Sequence, residues 1–216
     1  QNEGYQVTVI DLNGPGEETS SGNLGGFGVA SCPPAAMPGI IKKVPDMLFK
    51  ETAPLKLRWG HAVTALPWFI RFIAQSRRSN VEANARARQS LLNKVHEAID
   101  PLISEAGAQD LMNPAGLMFT FESEEAFQKA IYAFDLRRRN GVKLDLLNGN
   151  EARQVEPNLS ENVVRAYRVA NFSNTADPLR LVQALAQLFL ARGGIYHRAE
   201  VRGFKVGSEG VEAVLT

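Results

Sequence analysis

The chain has 216 residues, of which 44% are hydrophobic and 22% are charged, and its formal net charge is +1. This length is sufficient for one large domain or two small ones with a buried core. The near-neutral charge argues against nucleic-acid binding, and the arginine runs at 77–78 and 137–139 are expected to be solvated. The single cysteine, Cys32, excludes an internal disulfide framework, and no apolar run reaches the roughly 20 residues that span a bilayer.

The first segment with a clear pattern, residues 5–12, is rich in β-branched and other apolar residues. This composition predicts a strand that is buried on both faces, as in parallel sheets, with Asp11 near its end. Residues 13–40 are dense in Gly, Pro and Ser and are predicted to form a loop. A loop of this length is usually functional or disordered.

The two ends of the chain have the patterns of interrupted elements. Residues 1–4 match the last turn of a helix that ends at Gly4, and residues 211–216 match a strand with nothing after it. The sequence has no initiator methionine. We therefore expect a piece of a larger fold, truncated at both ends.

Two helices are predicted after the long loop. A short apolar helix begins at Pro67, in the stretch "PWFIRFIAQSRR". A longer helix follows, in which apolar residues recur at steps of three and four, and Pro101 should kink or interrupt it. These apolar residues are Leu92, Val95, Ile99, Leu102 and Ala106.

Two further helices have clear start and stop signals. One is predicted to begin at the N-cap Ser123 and to close at Gly141, because acidic residues occupy its first turn and arginines its last. Its buried face would carry Phe127, Ile131 and Phe134. The other has Asp177 as its N-cap, Pro178 in its first turn and Gly193 after its end.

The remaining apolar stretches are predicted to be strands. They lie at residues 116–121 and 163–170 and near residues 195–201, 203–206 and 211–215, the last two joined as a hairpin. With a parallel-type strand at the start and antiparallel elements later, the pattern predicts an α/β fold with an α+β insertion.

Asp11 and the glycine-rich stretch "SSGNLGGFG" are the candidates for a binding site. An acidic residue at a strand end can bind ribose hydroxyls in a dinucleotide site, and a glycine-rich loop lets backbone approach a phosphate or a ring. A solvated aspartate and a flexible connection also explain these residues. The stretch "GPGEET" is not a phosphate-binding glycine turn, because it follows the acidic strand end and carries a proline between its glycines. His61, His96 and His197 are unclustered, so no metal site is predicted.

The stretches "GYQVTVID" and "ETSSGNLGG" resemble the start of the FAD-dependent D-amino-acid oxidase superfamily. The branch most similar is the bacterial D-amino-acid dehydrogenases, whose Thr-Ser-x-x-Asn-x-Gly segment corresponds to Thr19, Ser20, Asn23 and Gly25. Later stretches match in the same order, among them "PWFIRFI", "GLMFTFES", "NGNEARQVEPNLS" and "TADPLRLVQALAQLF". The phosphate-binding glycine turn of the family has no counterpart in this sequence.

The resemblance implies a non-covalently bound FAD and assigns its contacts. Asp11 would accept hydrogen bonds from the adenosine ribose, and Thr19 and Ser20 would meet pyrophosphate or ribityl oxygens. Residues 23–26 would pass along the flavin ring, and the backbone of Val201 would meet the adenine, although sheet packing alone also explains Val201. The complete set is Asp11, Leu12, Thr19, Ser20, Asn23, Leu24, Gly25, Gly26 and Val201.

The resemblance also implies a division into two domains. Residues 1–60 and 171–216 would form an incomplete FAD-binding, Rossmann-like domain, and residues 61–170 a substrate domain of mixed or antiparallel sheet and helices. In the second domain, Arg165 and Tyr167 point the same way from one strand and could bind the substrate, the Arg holding its carboxylate. Both could equally be surface residues on an exposed sheet face. No catalytic residue is assigned.

The implied reaction is oxidative deamination of D-amino acids to 2-oxo acids and ammonia, although the chain by itself is expected to bind FAD poorly and to be inactive. The implied electron acceptor is a quinone or another component of the respiratory chain. The implied location is cytoplasmic, with peripheral attachment of the complete protein to the inner face of the bacterial inner membrane left open. Related glycine, sarcosine or other amine oxidases, and a non-catalytic interaction fragment, remain alternatives.

Overall fold

The computed structural model describes residues 3–42, 44 and 59–216. The helices are α1 Trp59–Gln75, α2 Arg78–Leu92, α3 Val95–Glu105, α4 Glu124–Arg139, α5 Gly149–Val155 and α6 Pro178–Ala191. The strands are β1 Thr8–Asp11, β2 Gly26–Phe27, β3 Met112–Asn113, β4 Leu117–Phe121, β5 Asp145–Asn148, β6 Arg165–Val169, β7 Ser173–Thr175, β8 Ile195–Arg198, β9 Gly203–Gly207 and β10 Gly210–Leu215. Short 3-10 helices span Thr19–Gly22 and Gln109–Leu111.

The chain folds as two compact units. The first contains Gln1–Phe27, Val95–Ala115 and Phe172–Thr216, and the second contains Gly28–Lys94 and Gly116–Asn171. The division implied by the family resemblance is different: it assigns residues 1–60 and 171–216 to a cofactor domain and residues 61–170 to a substrate domain. That division stays a prediction.

The first unit carries three small sheets. β1 pairs in parallel with β8, β9 and β10 form an antiparallel hairpin, and β2 and β3 flank β7 in an antiparallel sheet. Helices α3 and α6 supply a core of apolar side chains together with β2 and β3. Its members are Ile103, Ala108, Leu111 and Leu181, with Phe27, Ile99, Met112 and Leu185 packed against them.

The second unit is an antiparallel sheet of order β4-β6-β5 with the helices α1, α2, α4 and α5. One core is aromatic and lies between α4 and the sheet, where Phe127, Phe134 and Tyr167 are buried. A second cluster joins Cys32 to residues of α2 and α4, namely Val81, Ala85 and Leu136. No helix among the described residues is long and apolar enough to cross a membrane.

The predicted mixture of parallel and antiparallel strands with helices is confirmed. Both helix caps are confirmed as well. The Ser123 hydroxyl accepts a hydrogen bond from the Ala126 N–H at 3.1 Å, and the Asp177 carboxylate accepts one from the Arg180 N–H at 3.0 Å. Gly141, after the end of α4, has a φ of 89° that few side chains tolerate.

The prediction of a first strand buried on both faces is wrong. β1 is four residues long, and Val9 on it is 39% exposed. Among the described residues β1 lies in a sheet of two strands, so one of its edges is unpaired and part of its apolar surface stays exposed. The parallel pairing expected of this strand is present.

Pro67 does not open a helix as predicted, and Pro101 does not interrupt one. Pro67 lies inside α1 and Pro101 inside α3, so each helix accommodates the loss of one backbone N–H donor. The long helix is instead interrupted at Asn93 and Lys94. The residues on either side of the break belong to different cores: Leu92 packs against the Cys32 cluster of the second unit, and Ile99 packs in the first unit.

Several elements of the structure were not predicted from the sequence. They are the short strands β2, β3, β5 and β7, most of α2, and α5. α5 begins with a capping box, in which the Asn148 side chain accepts from the Glu151 N–H and the Glu151 carboxylate accepts from the Asn148 N–H.

Candidate functional site

Asp11 lies at the carboxyl end of β1, on the edge where parallel strands present ligand sites. It is in register with Arg198 at the end of β8, and the next N–H, that of Ala199, donates to the Asp11 carbonyl oxygen at 2.8 Å. Val201 follows two residues later, before Arg202, whose N–H donates to the Leu215 carbonyl oxygen at 2.8 Å. The fold therefore brings Asp11 and the segment of Val201 to the same edge.

In the part of the chain that the structure describes, the Asp11 carboxylate has one hydrogen-bond donor. Its Oδ1 accepts a hydrogen bond from the Asn13 N–H at 3.0 Å, and the residue is exposed. A carboxylate offers about four acceptor positions, so further donors can be bound there. This geometry suits two neighbouring hydroxyl groups.

Tyr196 and Arg198 stabilise the turn that follows Asp11, and neither residue was predicted from the sequence to belong to the site. The Tyr196 hydroxyl donates to the Asn13 carbonyl oxygen at 2.6 Å, and the Arg198 Nε donates to the Leu12 carbonyl oxygen at 3.1 Å. Alternation along a strand would have indicated that the two side chains share a face. Only the register of β8 against β1 reveals what that face contacts.

The same neighbourhood is acidic. Desolvation by the surrounding protein, followed by the nearby carboxylates of Asp11 and Glu17, raises the pKa of the Tyr196 hydroxyl above its ordinary value. A neutral phenol can keep donating its proton to the Asn13 carbonyl oxygen.

The loop between Asp11 and the glycine-rich segment is stabilised by hydrogen bonds that its own side chains form. The Glu17 carboxylate accepts from the Gly14 N–H at 2.8 Å, and the Glu18 carboxylate accepts from the Asn13 side-chain amide. The Ser21 hydroxyl donates to the Glu18 carbonyl oxygen at 2.8 Å, so it serves the loop itself.

Two predicted site residues, Thr19 and Ser20, open the 3-10 helix that follows this loop. Thr19 is exposed and Ser20 is half-buried. The loop packs on α6 at Gly16, where an added Cβ would lie 3.0 Å from the Cβ of Val182. The two hydroxyl residues are thus carried by a turn that is anchored on a helix.

The segment from Asn23 to Phe27 is built onto β7. The Asn23 Oδ1 accepts from the Gly25 N–H at 2.6 Å, and the Thr175 N–H donates to the Gly25 carbonyl oxygen at 2.9 Å. Gly25 has a φ of 66°, and an added Cβ would lie 2.7 Å from the Thr175 carbonyl oxygen. An added Cβ at Gly26 would meet the ring of Phe172 at 2.8 Å.

These contacts change the physical explanation of the two glycines. The space that their missing side chains leave is filled by Thr175 and Phe172, so the packing of the protein itself requires glycine there. The predicted contact of this segment with a flavin ring stays a prediction. Leu24, next to Gly25, is 91% exposed and is the most open apolar side chain of the predicted set.

The two predicted substrate residues lie in the second unit, on β6. Tyr167 is 3% exposed and stacks on Phe134 with ring centroids 4.2 Å apart, so it is not a residue of an exposed sheet face. Arg165 is half-buried, and its Nε lies 3.3 Å from Glu124 Oε2. The substrate role of both residues stays a prediction.

Metal ligation and thiol chemistry have no support in the described residues. No group of three or more His, Cys, Asp or Glu residues there could hold a metal ion. The side chain of His61 lies outside the described part of the structure. Cys32 is fully buried, and this burial raises the pKa of its thiol, an effect that the nearby Arg137 guanidinium only partly opposes.

Comparison with known proteins adds a family and several relatives. The model of the DAO family, described as FAD dependent oxidoreductase, matches residues 1–216. A D-amino-acid oxidase of Bradyrhizobium diazoefficiens is 36% identical over 99% of this chain and 51% of that protein. A D-amino acid dehydrogenase of Dechloromonas aromatica is 30% identical over 73% of this chain and 38% of that protein. The chain thus spans about half the length of the first of these curated relatives, and less of the second.

Solved structures with a similar fold include the glycine oxidase of Bacillus cereus, with a TM-score of 0.58 and 18% identity over 99% of this chain and 46% of that one. The L-amino acid deaminase of Proteus vulgaris has a TM-score of 0.58 and 14% identity over 99% of this chain and 39% of that one. At these identities the likeness concerns the fold alone.

Proposed function

The chain belongs to the DAO family of FAD-dependent oxidoreductases, and from that membership we propose that the complete protein oxidises D-amino acids to 2-oxo acids and ammonia with FAD. The observation that carries the proposal is the position of Asp11 at the carboxyl edge of a parallel strand pair, bonded to the turn that leads to Val201. The names of the two curated relatives support D-amino acids as the substrate class.

The residues of the first unit fit an extended dinucleotide. The free acceptor positions of Asp11 suit the two hydroxyls of the adenosine ribose, and the backbone near Val201 suits the adenine. Thr19 and Ser20 carry hydroxyls suited to pyrophosphate or ribityl oxygens. The exposed Leu24 side chain offers an apolar surface to a ring, beside the ordered Asn23–Gly26 backbone.

FAD, when bound, supplies the oxidising group that accepts a hydride from the α-carbon of the amino acid. The part of this chain is to hold the cofactor and to orient the substrate. We propose Arg165 as the group that binds the substrate carboxylate, with Tyr167 packed below it. Arg165 would have to exchange its exposed partner Glu124, which is inexpensive because surface ion pairs are worth about 0–1 kcal/mol.

The proposed electron acceptor is a quinone or another respiratory-chain component, reached by peripheral attachment at the cytoplasmic face of the bacterial inner membrane. Helix α1 supports this attachment, because Val63, Leu66 and Ile70 recur on one side at helical spacing and are all exposed. No Asp or Glu occurs in residues 52–81, whereas that segment contains five Lys or Arg residues. The exposed apolar side chains of α1 and the basic character of this segment of the sequence together suit an anionic lipid surface.

The reaction is tested with the complete gene product by mixing it anaerobically with D-alanine, L-alanine, glycine or sarcosine and following flavin absorbance. We expect bleaching by D-alanine and faster reoxidation by a soluble quinone than by oxygen. Bleaching by glycine or sarcosine instead would favour the related amine oxidases. A purified protein without flavin that also fails to bind added FAD would favour a non-catalytic interaction fragment.

Membrane attachment has a separate test, co-sedimentation with phosphatidylglycerol or phosphatidylcholine vesicles. We expect the complete protein to bind the anionic vesicles and the Leu66→Glu variant to bind them less. Leu91→Glu is the matched control, since Leu91 is also an exposed leucine but lies on α2 and not on α1. Equal binding of all three proteins would contradict the proposed role of α1.

A further inference from the structure

The sheet formed by β2, β7 and β3 has two chemically different faces. One face is directed to the core: Phe27 and Met112 pack on the core of the first unit, and the hydroxyl residues Ser173 and Thr175, in register with them, are buried. Because side chains alternate along a strand, the residues between them lie on the opposite face.

The opposite face carries a row of three residues in register. Gly26 of β2 pairs with Asn174 of β7, and Asn174 pairs with Asn113 of β3. Asn174 is half-buried and Asn113 is exposed. Within residues 3–42, 44 and 59–216, neither side-chain amide has a hydrogen-bond partner.

Phe172 lies on this face as well, two residues before Asn174 on the same strand side. Its ring occupies the space over Gly26, where a Cβ would lie 2.8 Å from the ring. The face therefore combines one aromatic ring with two adjacent amide groups. A half-buried amide without a protein partner is costly unless water or a ligand supplies its hydrogen bonds.

We propose that Asn174 and Asn113 hydrogen-bond the flavin end of FAD, an inference that rests on the proposed function. The row carries no formal charge, which suits an uncharged planar ring with a polar edge and not the pyrophosphate. The carbonyl and N–H groups of the flavin pyrimidine ring match the donors and the acceptor of an amide. The row also continues directly from Gly26, the last residue of the segment that the sequence aligns with the flavin.

The test separates the two ends of the cofactor by comparing FAD with ADP, which lacks the flavin. The affinities of the complete apoprotein for both ligands are measured by calorimetry, for wild type and for Asn174→Leu and Asn113→Leu. We expect each variant to weaken FAD binding about 3- to 10-fold, the effect of one lost uncharged hydrogen bond, with ADP binding unchanged. The absorbance maximum of bound flavin should also shift, since hydrogen bonds to the ring change its spectrum.

Asn162→Leu is the matched control, because Asn162 is exposed on a turn of the second unit. Unchanged FAD affinity in both row variants would overturn the inference and leave the proposed function intact. An equal loss of ADP and FAD affinity would also overturn it, since the asparagines would then support the fold. If the wild type binds neither ligand, the proposed function fails, and the inference fails with it.

Discussion

The N–H of Ala199 donates a 2.8 Å hydrogen bond to the carbonyl oxygen of Asp11. This bond joins the end of β1 to the turn after β8, two segments near opposite ends of the chain. It extends the hydrogen bonding of the two strands by one residue on β8, and the Asp11 side chain at the end of β1 is exposed. The position of the carboxylate is thus set by backbone geometry, and within the described part of the chain only the Asn13 N–H occupies one of its acceptor positions.

Replacement of this carboxylate should weaken FAD and ADP binding together. We expect Asp11→Ala to lower both affinities about 10- to 100-fold, because hydrogen bonds to a charged group are worth about 1.5–3 kcal/mol. Calorimetric titration of the complete apoprotein measures both. Asp145→Ala is the control, since Asp145 is an exposed aspartate at the start of β5 in the second unit. Wild-type affinities in Asp11→Ala would contradict the proposed role.

A side chain at Gly25 should destabilise the first unit. In Gly25→Ala the residue must keep a φ of 66°, and its Cβ would lie 2.7 Å from the Thr175 carbonyl oxygen. We expect the free energy of unfolding to fall by about 2–4 kcal/mol in urea denaturation. Gly22→Ala is the control, since nothing lies within 4 Å of its added Cβ, and it should change stability by less than about 0.5 kcal/mol. Equal effects of the two variants would show that the close contact with Thr175 is relieved at no cost.

Arg137 should contribute more to stability than its neighbour Arg138. The Arg137 Nε donates to the Ala30 carbonyl oxygen at 2.9 Å, and its guanidinium lies 4.7 Å from the ring centroid of Phe134. We expect Arg137→Met to lower the free energy of unfolding by about 2–3 kcal/mol. Arg138→Met removes only an exposed ion pair with Asp135 and should cost less than about 1 kcal/mol. Urea denaturation compares the two, and a ranking in the other order would refute the prediction.

The Cys32 thiol should be unreactive in the folded protein. Burial raises its pKa above the ordinary value, so it stays protonated at neutral pH, and reagents reach it only after opening. A disulfide reagent should label it slowly under native conditions and at once in guanidinium chloride. Rapid native labelling would contradict the observed burial.

The same raised pKa predicts an alkaline loss of stability. The unfolded thiol releases its proton near pH 8.5 while the folded thiol retains it, so the folded state binds more protons and stability falls as pH rises through about 8.5. Below that pH both states are protonated and Cys32 makes no pH-dependent contribution. In urea denaturation between pH 7 and 10, Cys32→Ala should therefore lose stability less steeply than the wild type. Parallel curves would contradict the prediction.

Local rules predicted the elements whose ends carry capping residues. Ser123 and Asp177 begin helices in the structure as expected, because an N-cap acts on backbone N–H groups two or three residues away. The prediction that Pro67 opens a helix is wrong, and Pro101 does not interrupt its helix, since a helix can lose one hydrogen bond when the rest of it is favourable. The short strands β2, β3 and β7 carry too few residues for a periodic pattern.

The sequence alone supplied the candidate cofactor-binding residues and the order in which they occur, and their role stays a prediction. Asp11 closes an apolar strand, and the segment with Asn23 and Gly25 follows it; both features are local and visible in the chain. The family of the chain could also be recognised from the ordered series of its stretches, as the match over residues 1–216 confirms.

Only the tertiary structure decided what surrounds these residues. The register of β1 against β8 brings Tyr196 and Arg198 to the turn after Asp11, and the pairing of β2, β7 and β3 aligns Gly26 with Asn174 and Asn113. Such neighbours are distant in sequence, and no local propensity encodes which strand pairs with which, since pairing is set by the burial of apolar faces across the whole chain.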